Sequence, residues 1–295
     1  MVAGHERLEA GSDGWRRVIS ASKVAAMLGI SPWQSPFALW HEMAGNVTPE
    51  PFDPSLGEFG HDAEHLLGKQ WERRNPGWEV PWGMEDHEVA FTDESLPFPN
   101  QVLADFVATG PDGAEKLVEC KTTNHLDEWA DEDGNPALPP YYWVQVLFQM
   151  GVSGIHAADV IALGPFRNIE IFPVEWDEEA WRGLVDTCTD WWHSLEAGDA
   201  PALDDTVATY NTVRKLHPDI DKGVEVEITE EEAIALLDAK LAADETENHL
   251  KALTAKHLHQ MGRAQKLMCD GTKIAGRQPG KGGTVTFRIN KKANL

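Results

Sequence analysis

Val102-Leu103-Ala104-Asp105-Phe106-Val107-Ala108-Thr109, then Gly110-Pro111-Asp112-Gly113, then Lys116-Leu117-Val118-Glu119-Cys120-Lys121-Thr122, is the stretch that decides the fold. Two largely apolar runs, residues 101–109 and 116–122, flank a turn sequence and read as a β-hairpin. Residues two apart on a strand share a face. Glu119 and Lys121 therefore project together, and the hairpin can bring Asp105 beside them. Ionised groups in strands this apolar are costly unless they are paired or bound to metal. Two carboxylates and a lysine suit a hard divalent cation and a phosphate; they also suit a buried structural ion pair. Asp112 precedes Glu119 as well, but it lies at the turn tip, where Asp bonds locally and points away from the sheet. Asp105 is therefore the preferred carboxylate.

Outward from this hairpin the chain alternates between helices and strands. Ser20 can cap a helix over 21–28 that Gly29 stops. Ser35 and Pro36 open a second helix, ended by Gly45, and a proline-rich loop over 46–56 follows. Residues 58–74 read as a long helix with Phe59, Ala63, Leu66, Leu67 and Trp71 at helical spacing. Residues 78–82 and 87–91 are weak strand candidates. Residues 141–152 read as a helix, 157–163 and 168–174 as a strand pair, and 178–197 as a helix with Trp181, Leu184, Val185, Cys188, Trp191 and Trp192 on or near its buried side. Residues 224–228 suggest a short strand. Thr229 and Glu232 form a capping box that opens a long helix to about residue 268, broken near Gly262. Residues 271–295 hold Lys273, Arg277, Lys281, Arg288, Lys291 and Lys292 with no acidic residue, and read as a basic β-hairpin. The expected architecture is α/β: a central mixed sheet flanked by helices in residues 1–215, then a helical and hairpin extension over 216–295.

Composition narrows the function classes. The 295 residues carry 25 Lys and Arg against 49 Asp and Glu, a formal net charge of −24. That excludes a general coat of positive charge for nucleic acid but leaves room for a local basic groove. No apolar run approaches the roughly 18 residues of a membrane span. Residues 1–14 lack a basic segment followed by an apolar one, so no secretory signal is expected. Cys120, Cys188 and Cys269 are too few and too scattered for a disulfide framework, and fit a reducing cytoplasm.

Four blocks in order resemble a known family. Asp105 followed by Glu119-x-Lys121 resembles the PD-(D/E)xK nuclease signature. Gly57-Glu58-Phe59-Gly60-His61-Asp62-Ala63-Glu64 resembles the G-x-x-x-E helix of the YqaJ-type viral recombinases, relatives of lambda exonuclease. Val18-Ile19-Ser20-Ala21-Ser22 with Ala26-Met27-Leu28-Gly29 resembles their N-terminal helix. Tyr141-Tyr142-Trp143-Val144-Gln145-Val146-Leu147-Phe148-Gln149-Met150 resembles their Y-x-x-Q-x-x-x-x-M helix. The resemblance covers about residues 15–165 and implies a restriction-endonuclease-like core. It implies that Asp105 and Glu119 hold Mg²⁺, or Mn²⁺, with the Cys120 carbonyl and Glu64 as further ligands. Lys121 would assist the attacking water, Gln145 would approach from the following helix, and Ser22 would contact a substrate phosphate. The family's phosphate-binding arginine falls at Trp15 here, so Arg16 or Arg17 would substitute. Ala104 stands where the family signature has proline.

The activity implied is metal-dependent digestion of linear double-stranded DNA, 5′ to 3′, leaving 3′ single strands for recombination. Implied partners are duplex DNA ends, a single-strand annealing protein and further copies of the chain, as a trimer. A RecB-like endonuclease and a nuclease-fold module that binds without cutting stand as alternatives. His41-Glu42-Met43-Ala44-Gly45 lacks the second histidine of a zinc-protease motif, and His257, His259 and Cys269 match no common zinc spacing.

Overall fold

A computed structural model of the chain describes residues 7–9, 11–49, 54–84, 87–291 and 293. It divides into two units, Met1–Ile220 and Asp221–Leu295. The first begins with α1 (Asp13–Arg16), α2 (Ala21–Met27), α3 (Pro36–Met43) and α4 (Pro54–Arg74). Strands β1 (Val89–Phe91), β2 (Val102–Ala104), β3 (Phe106–Thr109) and β4 (Glu115–Thr122) follow. Then come α5 (Pro140–Ser153), β5 (Ala157–Leu163), β6 (Ile169–Glu175), α6 (Glu178–Ala197) and α7 (Val207–Leu216).

The main sheet has the order β3-β4-β5-β6. β3 and β4 form the expected antiparallel hairpin, with Phe106 opposite Val118. β4 and β5 run parallel, with Glu119 opposite Val160, and such a pair needs a crossover; α5 supplies it. Alternation along β4 sorts the two faces. Val118 and Cys120 join Phe106, Ala108 and Ile161 in a core with Leu67 and Trp71 of α4. Leu117 faces the other way, into a larger core with α2, α5 and α6. The sheet is therefore covered by helices on both faces, the expected α/β architecture. At the α4 face, buried Asp159 accepts from Trp71 Nε1 at 2.9 Å and pairs with Lys116 at 3.2 Å.

Local chemistry explains the helix ends. Ser35 Oγ accepts from Ala38 N–H at 3.1 Å, and Pro36 occupies the first turn of α3. Asp177 caps α6, which buries Leu184, Cys188 and Trp191, while Trp181, Val185 and Trp192 are partly buried beside them. α5 carries Gly151 where the Trp181 ring lies against the backbone: an added Cβ would sit 2.4 Å from ring carbons. Gly151→Ala is expected to destabilise the protein by about 1–3 kcal/mol, the cost of overpacking a filled core, despite the better helix propensity of alanine. Urea unfolding followed by circular dichroism would measure it; unchanged stability would mean that the ring yields freely.

Several expectations need correction. Residues 101–109 are not one strand. Asp105 is a bend: β2 pairs with β1 in a separate two-stranded sheet, and β3 pairs with β4. Residues 78–82 form no strand, only a bridge between Glu79 and Thr109, since Gly77 and Pro81 interrupt the run. Ser20 occupies the N-cap of α2, but its hydroxyl makes no cap bond and instead meets Ser22 Oγ at 3.1 Å. The helix α7 falls within a region left unassigned by sequence; Thr206 caps it through Thr209 N–H at 3.1 Å.

The second unit opens with α8 (Glu230–Met261), where the expected capping box of Thr229 and Glu232 is present. α8 ends at Met261, seven residues before position 268, and is followed by Gly262, whose positive φ of 51° suits a residue without a side chain. Beyond it, β7 (Lys266–Cys269), β8 (Thr272–Pro279) and β9 (Val285–Ile289) make a three-stranded antiparallel sheet. The expected basic hairpin is β8–β9, with Ala275 opposite Ile289; Lys292 lies outside the described residues. Residues 224–228 form no strand, and Val224 and Val226 are exposed. No helix among the described residues is long and apolar enough to cross a membrane.

Candidate functional site

The bend between β2 and β3 carries Asp105, and β4 carries Glu119 and Lys121 on the face opposite Val118 and Cys120. Asp105 Oδ2 accepts the Cys120 backbone N–H at 2.6 Å, which ties the bend to the middle of β4. Glu119 is buried, at 4% exposure, and both oxygens of its carboxylate accept hydrogen bonds. Oε1 accepts from Lys121 Nζ at 2.5 Å and from Gln145 Nε2 at 2.7 Å. Oε2 accepts from Gln149 Nε2 at 2.8 Å. Gln149 also donates to the Leu103 carbonyl at 2.7 Å, which locks α5 to β2 as well as to β4. Its own Oε1 is buried with no hydrogen-bond partner among the described residues. Lys121 Nζ lies 5.2 Å from the centre of the Tyr142 ring, a cation–π distance.

Electrostatics in this cluster run in opposed directions. Burial pushes Asp105 well above the usual carboxylate range, and the Glu119 charge pushes it further. Burial alone would lower Lys121, but the carboxylates of Glu119 and Asp105 outweigh it and hold the ammonium above its ordinary range. The Cys120 thiol is driven up by burial and then by the surrounding carboxylates, so it is inert at neutral pH. Two carboxylates with one ammonium leave a site short of positive charge. A divalent cation would supply it.

Glu64, on α4, is within electrostatic reach of Asp105 and raises it. Its own carboxyl is raised by burial, against the pull of its His87 hydrogen bond. Oε2 of Glu64 lies 2.9 Å from His87 Nε2 and 3.2 Å from His61 Nδ1. The structure thus gathers Asp105, Glu119, Lys121 and Gln145 directly, with Cys120 entering through its backbone and Glu64 alongside. Ser22 is exposed. Arg16 pairs with Asp13 at 3.0 Å, and Arg17 is the exposed residue that closes α1. Among the described residues no hydrogen bond or ion pair joins these three to the carboxylate cluster. Their segment is anchored instead by buried Lys23, whose Nζ donates to the Trp15 and Val18 carbonyls at 2.6 and 2.7 Å. Burial pulls Lys23 down to about 7.

Sequence reasoning missed Gln149, His61 and His87. Gln149 sits one helical turn after Gln145, the spacing that puts both amides on one face, and that signal was available. His61 is three residues before Glu64 and was legible in the same way. Nothing in the sequence around His87 announces its position.

The parallel step of the α/β sheet, its crossover helix and the bent strand converge on this carboxylate–lysine cluster. Residues 13–156 match the family model of the YqaJ-like viral recombinase domain. Over these residues the chain is similar to that family. The uncharacterized protein YqaJ of Bacillus subtilis (strain 168) is 26% identical over 276 residues, 87% of this chain and 80% of that one. Among solved structures, an alkaline exonuclease from Laribacter hongkongensis aligns at 15% identity and a TM-score of 0.46, over 62% of this chain and 89% of that one. The same exonuclease in complex with dAMP gives 17% and 0.48, over 63% and 92%. A phage-related exonuclease from Haemophilus somnus 129PT gives 10% and 0.41, over 61% and 96%.

Proposed function

We propose that this protein is a metal-dependent deoxyribonuclease that digests linear double-stranded DNA from its ends, 5′ to 3′, and leaves 3′ single strands for phage-type recombination. The observation that carries this reading is the buried Glu119, held by three side-chain donors beside Asp105 and Lys121. The nuclease would reside in residues 1–215, with 216–295 as an extension. The match of residues 13–156 to the YqaJ-like viral recombinase domain supports the recombination role.

The donor set fits Mg²⁺, which prefers a few carboxylates with water and substrate oxygens; Mn²⁺ shares this preference. Asp105 and Glu119 would hold it, with the Cys120 carbonyl and Glu64 as further ligands. Bound there, the ion would lower the pKa of a water and neutralise charge on the phosphate. The chain's own groups do the remaining work. Gln145 and Gln149 fix the Glu119 carboxylate in one orientation before substrate arrives. Lys121 orients the attacking water and places a charge beside the phosphate as negative charge builds. Ser22, with Arg16 or Arg17, would take the 5′ phosphate of the cut strand. Local positive charge around the substrate path would let DNA approach an acidic chain. The working complex would be a homo-oligomer, a trimer by family resemblance, acting in the cytoplasm with a single-strand annealing protein that coats the product.

Digestion of linear duplex DNA in Mg²⁺, with a covalently closed circle as control and 5′-phosphate against 5′-hydroxyl ends, tests the reading. Loss of linear DNA from its 5′ ends with the circle spared is the expected result. A preference for 5′ phosphate would point to Ser22 with Arg16 or Arg17. Cutting of the circle would replace this reading with an endonuclease. No cutting in Mg²⁺ or Mn²⁺ would leave a binding module.

A further inference from the structure

Glu64 sits in a second group of side chains whose donor chemistry differs from that of Asp105 and Glu119. His61 and Glu64 lie three residues apart on α4 and share a face. His87, from the segment ahead of β1, reaches the same carboxylate with a side chain of 0% exposure. One ligand atom from each of His61, Glu64 and His87 lies within 4.8 Å of the others.

The tautomer of His87 makes this group unusual. Its Nδ1 is 3.0 Å from the Met84 carbonyl oxygen, which can only accept, so Nδ1 carries a proton. In a neutral imidazole Nε2 is then a bare lone pair, and here it faces Glu64 Oε2 at 2.9 Å. Two acceptors at that distance need a proton or a metal ion between them. The ring is stacked on Phe106 at 4.5 Å and on His61 at 5.6 Å, and His65 lies 4.8 Å away. A metal ion would satisfy both histidine nitrogens and the carboxylate with one charge. A backbone carbonyl holding the far nitrogen of a ligating histidine is the usual outer support of such an ion. Separations of 2.9 and 3.2 Å between ligand atoms match the edges of a polyhedron with metal–ligand bonds of about 2.0–2.2 Å.

We propose that His61, Glu64 and His87 bind a divalent transition-metal ion of the Zn²⁺ or Mn²⁺ class, at a site separate from the carboxylate pair Asp105 and Glu119. Imidazole donors favour such ions over Mg²⁺, and the remaining coordination positions are left to water or to an incoming oxygen ligand. Glu64 then stands between two centres, and occupancy of the histidine site fixes its carboxylate.

The test is titration of the full-length protein with Co²⁺ as a spectroscopic probe, with competition by Zn²⁺ and Mg²⁺. The wild type should take up one equivalent with the visible bands of imidazole-ligated cobalt. Zn²⁺ should displace it, and excess Mg²⁺ should not. His61→Ala, at an exposed position, should weaken this binding more than about tenfold, and so should His87→Gln. Asp105→Asn should leave the bands in place. Absence of the bands in the wild type would mean that a proton, not a metal, lies between His87 and Glu64, and would overturn the proposal. Bands unchanged in His61→Ala, or lost in Asp105→Asn, would also overturn it. The readout is metal binding, so a protein that failed to cut DNA would still answer the question.

Discussion

Lys121→Ala is expected to yield a folded protein that no longer cuts DNA. Lys121 Nζ sits 2.5 Å from Glu119 Oε1 and is the one ammonium that offsets the Asp105 and Glu119 charges. Loss of a positioned charge that acts on the transition state costs about 10²–10³ in rate. The substitution also removes one partner of a buried pair, which costs up to about 3–5 kcal/mol when the remaining charge is orphaned. Glu119 is not orphaned, because Gln145 and Gln149 still donate to it. The loss of stability should therefore fall below that range. Single-turnover digestion of linear duplex DNA, with circular dichroism as a check on folding, separates the two effects. Cutting at the wild-type rate would remove Lys121 from the mechanism.

The second large effect is expected at Asp105. Burial and the neighbouring Glu119 raise its folded-state pKa above that of the unfolded chain. The folded state therefore binds the proton more tightly. The associated stability is full below the unfolded pKa, near 3.9, and is lost as pH rises through the raised folded value. In the absence of divalent ions, Asp105→Asn should then melt higher than the wild type at neutral pH, by about 3 °C or more, and the gap should close as the pH is lowered toward 4. Asparagine can still accept the Cys120 N–H. Divalent ions should reverse the order. An ion bound by the folded wild type at a hundred times its Kd adds about 2.7 kcal/mol, and the variant should gain far less. Thermal melts with Mg²⁺ and with chelator at two pH values measure all four cases. A wild type that melts higher than the variant in chelator at neutral pH would show that the carboxylate is not strained there.

The hairpin and its charges were legible because apolar strands with isolated ionised residues are rare enough to stand out. The bend at Asp105 was not. Ala104, Phe106 and Ala108 are buried and Leu103, Asp105 and Val107 only partly so; the alternation runs unbroken through the bend, while the pairing partner changes from β1 to β4 and the buried side chains pass from the core with α2, α5 and α6 to the core with α4. Periodicity reports that side chains alternate between buried and less buried, not which strand or core lies beside them. Val224-Glu225-Val226-Glu227-Ile228 shows the reverse case: the alternation is there, but no strand pairs with it and the apolar residues lie exposed. The end of α8 was blurred because Lys266-Leu267-Met268-Cys269 serves a helix or a strand equally well, and the choice fell to its partner β8. In the site, Asp105, Glu119 and Lys121 were legible from type and order, and Gln145 from the family resemblance. His87 was not, because a buried histidine beside a distant carboxylate is a product of packing.

Two glutamines one turn apart on α5 grip the two oxygens of a single carboxylate, and that makes chain length part of the site. One residue inserted between Gln145 and Gln149 would swing the second amide about 100° round the helix axis, and no change of rotamer would bring it back. The Gly110–Gly113 turn carries no such constraint, since a surface loop accepts added residues at little cost. Among relatives and engineered variants, insertions should therefore collect at the hairpin tip, while the five residues from Gln145 to Gln149 keep their count even where the residues between them change.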